Sequence, residues 1–242
     1  MLPTIRGVID RRILVNYRVD PGALDEVLPD PFQPQTVDGY GIGGICLIRF
    51  RDLRPRGLPS QVGFGSENAA HRIAVEWKED GRLRSGVYVP RRDTNSRFNT
   101  LLGGRLFPGV HSHAAFEVDE SDGQYDVSMT SDDGETHVHV RGTPAESLPG
   151  DSVFPSVDAA STFFERGSVG HSPNKRTNEF ERLELHTFEW DVTPLAVDAV
   201  ASSYFDAFAD DAVDFDHALL MKDIEHEWYE GDSLCSIPAT AS

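Results

Sequence analysis

Residues Arg11–Pro31 read RRILVNYRVDPGALDEVLPDP, and this stretch decides the fold. Its first part, Ile13–Val19, is rich in β-branched and aromatic residues and predicts a strand. Asp20 is a good helix N-cap, the proline after it suits the first helical position, and Pro29 would end the helix. The stretch therefore predicts a strand that runs directly into one short helix, Asp20–Leu28.

Short strand-like runs recur along the rest of the chain. They are Gly41–Phe50, Arg72–Trp77, Leu83–Val89, His113–Val118, Tyr125–Thr130, His137–Thr143, Leu183–Val192 and Ala218–Trp228. Turn signals such as the KEDG sequence at residues 78–81 separate several of them. This spacing predicts a mainly β fold, arranged as an antiparallel β-barrel or as paired sheets.

Helix signals are few. Beyond the first helix, the sequence predicts helices at Ser96–Leu106 and at Val157–Arg166, the latter ending at Gly167. Residues 144–155 predict a loop, but their composition does not mark a domain boundary. We therefore expect a single domain that spans residues 1–242.

The charge of the chain is extreme, with 40 acidic against 22 basic residues and a formal net charge of −18. Nineteen of the basic residues are arginine and three are lysine. Such a surface repels itself at low salt, and about 1 M salt screens that repulsion almost completely. The composition favours a cytoplasmic protein of a salt-loving organism over an ordinary acidic protein. No basic stripe stands out, so nucleic-acid binding is not expected.

The two cysteines and the terminal segment also bear on location. Cys46 and Cys235 are far apart and lack metal-ligand spacing, which predicts free thiols in a reducing compartment. The chain has no run of 18 apolar residues and no apolar leader at its N-terminus. We expect a cytoplasmic protein that makes no membrane contact.

Two segments together resemble the acetoacetate decarboxylase-like superfamily. The first is the opening stretch, with Tyr17-Arg18-Val19-Asp20-Pro21 followed by Val27-Leu28-Pro29. The second is Gly86–Asp93, GVYVPRRD, which is similar to a decarboxylase segment in which an aromatic residue and a proline precede two lysines. The later part of the chain looks closer to the uncharacterised branch of that superfamily. The resemblance implies an incomplete β-cone around a ligand cavity and, by analogy with relatives, a homodimer.

The decarboxylase chemistry conflicts with this sequence. In the family, the first lysine of the pair forms a Schiff base with the substrate ketone. Here Arg91 and Arg92 occupy both positions. A guanidinium remains protonated and cannot act as a neutral amine nucleophile. The resemblance therefore implies a relative that does not use a Schiff base.

Two other family positions are kept, and they suggest a site for an anion. Arg18 aligns with a family arginine near the lysine, and Glu67 with the family's active-site glutamate. Arg18, Arg91 and Arg92 would then bind a carboxylate or phosphate, with Glu67 as general acid or base and Arg91 assisting it. The alternative is that these arginines form salt bridges with nearby carboxylates. Strand alternation also predicts that adjacent arginines point to opposite faces.

Histidines offer further candidates. His71 lies near Glu67 in sequence and could help to bind substrate or move a proton, although a structural core histidine is the alternative. The pairs His111/His113 and His137/His139 each point to one face of a strand, but no carboxylate motif completes a metal site. We therefore expect no metal and no cofactor. Gly41-Ile42-Gly43-Gly44 lies inside a strand pattern and predicts a bulge or a close backbone approach.

The sequence as a whole favours a protein that binds a small anionic molecule, either an oxo acid or another carboxylate. It would be a binding protein or a lyase-like enzyme with a decarboxylase-like fold. A non-catalytic ligand-binding protein and a structural dimeric module remain open as alternatives.

Overall fold

The computed structural model describes residues 4–96, 111–174 and 177–235. The strands are β1 (Ile5–Val19), β2 (Gln33–Pro34), β3 (Thr36–Val37), β4 (Tyr40–Pro55), β5 (Phe64–Glu79), β6 (Arg82–Thr94), β7 (His111–Asp119), β8 (Tyr125–Ser131), β9 (His137–Pro144), β10 (Val169–Asn174), β11 (Glu179–Thr187), β12 (Thr193–Ser202) and β13 (Val213–Cys235). The helices are α1 (Pro21–Val27) and α2 (Val157–Arg166), with a short 3₁₀ turn at Ser60–Val62. The mainly β fold class is confirmed.

The strands form one sheet that closes on itself twice. One ring runs β6-β7-β8-β9-β12-β13-β1-β4-β5 and returns to β6. The second runs β11-β10-β6-β5-β4-β1-β13 and returns to β11. The five strands β13, β1, β4, β5 and β6 belong to both rings and form a shared wall. This double closure differs from a regular barrel, and each face of the shared wall looks into a different interior.

Strand pairing in the described residues is antiparallel except at β6, which pairs parallel with β7 and β10. The predicted strand Leu183–Val192 is wrong in its extent, because β11 ends at Thr187 and a new strand begins at Thr193. The hairpin between β5 and β6 turns at Asp80 and Gly81, both with positive φ, as its turn sequence predicts.

Both described helices begin and end as predicted. The Asp20 side chain accepts a hydrogen bond from the backbone N–H of Ala23 at 3.1 Å. The Ser156 side chain accepts from Ala159 at 3.2 Å, and helix α2 stops at Gly167. The predicted helix Ser96–Leu106 lies, apart from Ser96, outside the described residues. No helix among those described is long and apolar enough to cross a bilayer.

Glycine makes room on one face of the shared wall. A Cβ atom at Gly44 would lie 2.4 Å from the carbonyl oxygen of Val15 and 3.2 Å from both Arg72 Nη2 and Asn16 Oδ1. This is the close backbone approach that the glycine-rich segment predicts. The missing side chain leaves space for the Arg72 guanidinium beside β1.

Gly44→Ala is therefore expected to destabilise the protein by about 2 kcal/mol, because the first of these contacts is with backbone that cannot move aside. The control is Gly150→Ala, since a Cβ there meets nothing within 4 Å. Urea unfolding of both variants tests the expectation. Equal midpoints for the two variants would contradict it.

Candidate functional site

The face of the shared wall that looks into the second ring borders a small enclosed space, here called the arginine cavity. Its charged and reactive lining consists of Arg12, Arg72, Arg92 and Cys46. The rest of the lining is mostly apolar and comes from α2 and from β4, β5, β6, β11 and β13, with Gln35 and Ser168 as further polar residues. Its volume is about 70 Å³. A cavity of this volume can hold about five water molecules. The cavity is therefore of the size of a small organic anion.

The register of the shared wall brings these side chains together. In the pairings of β4, β5 and β6, Cys46 lies opposite Ala70 and Ala70 lies opposite Arg92. Cys46 and Arg92 thus share one cross-strand row, separated by a methyl group. The next row places Gly44 opposite Arg72. Residues two apart on a strand share a face, so the two rows present their cations to the same hollow.

A bulge in β6 sets the direction of Arg92. His71 of β5 pairs with Arg91 of β6, and Ile73 pairs with Tyr88. The interval is two residues on β5 but three on β6, so β6 carries one extra residue here. A bulge of this kind resets the alternation of side chains. As a result Val89 and Arg92 both line the arginine cavity, while Arg91 faces the other side of the wall.

The three cavity arginines have neutral partners or a thiol. Arg72 donates to Cys46 Sγ from Nε at 3.1 Å and to the side-chain oxygen of Asn16. Arg92 donates to Ser172 Oγ at 3.3 Å from both Nε and Nη2. The Arg12 Nη2 atom lies 3.6 Å from Cys46 Sγ. Aromatic faces cover two of the cations, with Arg72 over Phe164 and Arg12 over Trp190.

Among the described residues, carboxylates form no direct ion pair with these arginines, and Glu181 acts on Arg92 only at longer range. Within the described chain, no aspartate or glutamate oxygen lies within 4.0 Å of a nitrogen of Arg12, Arg72 or Arg92, although most described arginines have such a partner. Burial lowers the pKa of Arg92 to about 10 and also lowers that of Arg72. Arg92 therefore stays protonated at neutral pH. In a chain with 40 acidic residues, a concentrated and unpaired positive charge is unusual.

Cys46 is the acidic group of the cavity. Burial alone would raise the pKa of its thiol, but the neighbouring cations Arg72 and Arg12 lower the pKa below its ordinary value. Even a fully deprotonated thiol would carry only one negative charge against three guanidiniums. The remaining charge can be satisfied by a bound anion.

The opposite face of the wall borders a more open space, here called the Arg91 groove. Its volume is about 610 Å³, and its wall includes Arg91, Glu135, Tyr204 and Phe208. Arg91 donates to Asp93 at 3.0 Å and to Asp133 at 2.8 Å, and also contacts Glu135 at 3.2 Å. Burial by itself would lower the pKa of Arg91, but these hydrogen bonds to carboxylates raise it. The local charge around Arg91 is therefore net negative.

Glu67 also lies on this second face, in an ion-pair network. Its two carboxylate oxygens accept from Arg11 Nη2 at 2.6 Å and from Arg49 Nε at 2.7 Å. Arg11 is fully buried, and Glu120 is its second carboxylate partner at 2.6 Å. Both oxygens of Glu67 are thus engaged in balancing buried and half-buried arginines.

Glu67→Gln is expected to destabilise the protein by about 3 kcal/mol, because it leaves the buried Arg11 cation with one carboxylate fewer. Glu225→Gln is the matched control, since Glu225 pairs with Arg6 at the surface, where an ion pair contributes about 0.5 kcal/mol. Chemical denaturation measures both. If the two variants lose equal stability, the network does not depend on Glu67.

The remaining predicted site residues lie elsewhere. His71 is fully buried opposite Arg91, with its ring 4.9 Å from that of Tyr204. Arg18 donates to the backbone oxygen of Asp151 at 2.7 Å. Arg18 does not line either the cavity or the groove. The structure therefore brings Arg91 and His71 together on one face and places Arg92 on the other.

The histidine pairs have local partners. His113 Nδ1 lies 2.8 Å from Asp132, and His139 Nε2 lies 3.0 Å from Asp126. Among the described residues, no three histidine, cysteine, aspartate or glutamate side chains converge as ligands of one metal ion.

Sequence reasoning missed three cavity residues, namely Arg12, Arg72 and Cys46. A usable signal exists for one of them, since Arg72 is a charged residue directly before the apolar residues Ile73, Ala74 and Val75. Arg12 gives no comparable signal, because it follows another arginine. Only the strand register shows that all three meet Arg92.

Comparisons with known proteins agree with this fold. An acetoacetate decarboxylase from Legionella pneumophila superposes with a TM-score of 0.66 at 11% identity, covering 98% of this chain and 90% of that one. An acetoacetate decarboxylase-like enzyme from Sphingomonas wittichii gives 0.61 at 13% identity, with 96% and 92% covered. The enduracididine biosynthesis enzyme MppR, solved in complex with pyruvate, gives 0.57 at 14% identity, with 97% and 91% covered.

At these identities the structural likeness establishes the fold, and the expected acetoacetate decarboxylase-like fold is confirmed. No functionally curated protein matches the sequence. The family of uncharacterised conserved proteins designated DUF2071 matches residues 9–221, which is most of the chain. This chain belongs to the DUF2071 family and has an acetoacetate decarboxylase-like fold.

Proposed function

We propose that this protein binds a small carboxylate, of the size of a short oxo acid, in the arginine cavity. The observation that carries the proposal is the set of three guanidiniums, Arg12, Arg72 and Arg92, without a carboxylate partner among the described residues. Any reaction at this site would proceed without an imine.

Electrostatics supports an anionic occupant. A buried cation without a counter-ion costs several kcal/mol, and a paired carboxylate with hydrogen bonds offsets that cost. Guanidiniums bind carboxylates through two parallel hydrogen bonds, which also fixes the orientation of the ligand. The overall negative charge of the chain makes this cavity a local attractor for small anions.

Size and fold support the same ligand class. The cavity volume of about 70 Å³ excludes large ligands unless the walls move. A protein with the same fold, MppR, has been solved in complex with pyruvate, which is a small oxo acid. These points favour a monocarboxylate of few atoms over a nucleotide or a sugar phosphate.

An imine mechanism lacks its nucleophile in the described part of the chain. Arg91 and Arg92 cannot supply a neutral amine. Of the three lysines, Lys78 and Lys222 are exposed and do not line the cavity or the groove, and Lys175 lies outside the described residues. The protein would therefore be a binding protein or a lyase-like enzyme with different chemistry.

A second candidate site is the Arg91 groove, which is lined by Arg91 and bordered by His71 through its contact with Tyr204. Its larger volume favours it. The carboxylates around Arg91 weigh against an anionic ligand there. The predicted roles of Glu67 and Arg91 in catalysis, and those of Arg18 and His71 in binding, stay predictions, as does the homodimer.

Calorimetric titration with pyruvate, acetoacetate and oxalate at constant KCl concentration tests the proposal. We expect at least one of them to bind the native protein, and Arg92→Gln to weaken that binding by about 30-fold, the equivalent of about 2 kcal/mol for one charge-assisted pair. Arg82→Gln, at an exposed position on the same strand, is the matched control and should bind normally.

The Arg91→Gln variant separates the two sites. Loss of binding in Arg91→Gln but not in Arg92→Gln would move the ligand to the groove. The absence of binding of all three acids to the native protein would overturn the proposal.

A further inference from the structure

Cys46 occupies a position in the arginine cavity that its partners make chemically distinctive. A buried cysteine normally behaves as a small apolar side chain with an inert thiol. Here its Sγ atom lies 3.1 Å from Arg72 Nε and 3.6 Å from Arg12 Nη2. Both guanidiniums line the same cavity as the sulfur, so the thiol borders the space that a ligand would fill.

The arginine cavity also fixes what can reach the sulfur. Cys46 is only 3% exposed, so a reagent approaches it through the cavity. Arg92 does not contact the sulfur in the structure. A ligand whose carboxylate is bound by Arg92 would place the carbon next to that carboxylate close to the thiol. Ala70, between Cys46 and Arg92 in their cross-strand row, leaves space for such a ligand.

We propose that Cys46 is a nucleophile that attacks an electrophilic carbon adjacent to the carboxylate of the bound ligand, an inference that rests on the proposed function. With a 2-oxo acid, a sulfur–carbon bond forms, and the electron pair of the carbonyl π bond moves to the oxygen. That oxygen takes a proton from solvent, which gives a thiohemiketal. The step needs no oxidant or reductant, and its reversal releases the oxo acid unchanged.

The electrostatic surroundings of Cys46 agree with this role. Its thiol pKa is lowered, against the effect of burial, by the cations of Arg72 and Arg12. The thiolate is the nucleophilic form of cysteine. The same cations would stabilise the oxyanion that develops on the ligand.

Alkylation of the native protein with iodoacetate and iodoacetamide tests the proposal. The two reagents deliver the same electrophilic carbon, but only iodoacetate carries a carboxylate; in each case a sulfur–carbon bond forms and iodide leaves. Peptide mass spectrometry follows Cys46 and Cys235 separately, and Cys235 is the internal reference. We expect the ratio of the iodoacetate rate to the iodoacetamide rate to be about tenfold higher at Cys46 than at Cys235, from one charge-assisted pair.

Two further arms identify the cause of this preference. Arg92→Gln should abolish it without removing the contacts of Cys46 with Arg72 and Arg12, whereas Arg82→Gln should keep it. With pyruvate labelled with ¹³C at its carbonyl carbon, the native protein should give a tetrahedral-carbon signal beyond that of free hydrate. Cys46→Ser should not give that extra signal.

The outcomes separate this inference from the proposed function. Equal rate ratios at the two cysteines, with carboxylate binding intact by calorimetry, would overturn the role of Cys46 and leave the binding site standing. Equal ratios together with no carboxylate binding would overturn both. A preference for iodoacetate that survives Arg92→Gln would also overturn the proposed geometry.

Discussion

Arg92→Lys is expected to give the protein a lysine that forms an imine with acetoacetate, which borohydride reduces to a stable adduct of one label per chain. The native protein and Arg91→Lys are expected to remain unlabelled. The two lysine variants are thus expected to differ between full labelling and no labelling, although positions 91 and 92 are adjacent in the sequence.

The reason lies in the environments of the two side chains. At position 92, burial lowers the pKa of the resident arginine to about 10, and Ser172 is its hydrogen-bond partner. The same burial would lower the pKa of a lysine there and populate the neutral amine. At position 91, hydrogen bonds to Asp93 and Asp133 stabilise the cation, so a lysine would stay protonated.

Intact-mass and peptide analysis after borohydride treatment measure the result. Label in Arg91→Lys but not in Arg92→Lys would place the reactive position in the Arg91 groove, as the sequence resemblance alone suggests. Label on a lysine of the native protein would contradict the conclusion that this chain lacks the amine chemistry. Omission of borohydride is the chemical control.

Acid destabilisation is expected to be large and to begin near neutral pH. His71, His171 and His226 are fully buried, and burial lowers their pKa values to about 3, 4 and 4. In the unfolded chain each would titrate near pH 6.5. Between these values the unfolded state binds more protons than the folded state, so stability is complete above about pH 7 and falls as the pH decreases.

The size of the effect follows from the same linkage. At pH 5 each of the three histidines accounts for a loss of about 2 kcal/mol, or about 6 kcal/mol together. A typical domain has a free energy of unfolding of about 5–15 kcal/mol, so much of the stability would be lost. Urea unfolding between pH 7 and pH 5 in about 1 M KCl, where surface repulsion is screened, measures it.

His226→Gln should reduce the pH dependence by about one third, while His137→Gln, at an exposed position, should leave it unchanged. A stability that is constant between pH 7 and pH 5 would contradict the expectation. So would an equal pH dependence in the native protein and His226→Gln.

The local signals in the sequence predicted the local structure well. Asp20 and Ser156 cap the two described helices, and Gly167 ends the second, because capping depends on backbone groups within one turn. Gly44 lies where two strands approach closely, as the glycine-rich strand segment predicts. These features depend on residues that are close together in the chain.

The candidate site was predicted only in part. The sequence predicted an anion site built from arginine, which stays a prediction, and Arg92 lines the cavity on which the proposed site rests. Arg91 and Arg92 point to opposite faces, as alternation predicts, but the bulge in β6 was not visible in the sequence. The family resemblance places Arg91 where the reactive lysine would be, whereas Arg92 is the arginine of the two that has no direct carboxylate partner among the described residues.

The sequence by itself determined the strand-and-turn pattern, the acidic charge and the absence of a lysine at the aligned position, because each is a property of nearby or individual residues. Only the tertiary structure decided which arginines are paired with carboxylates and which are not. Arg12, Cys46, Arg72 and Arg92 come from four different strands, and their meeting depends on the register of the shared wall. Charge balance inside a protein is a property of distances across strands, which the order of residues along the chain does not contain.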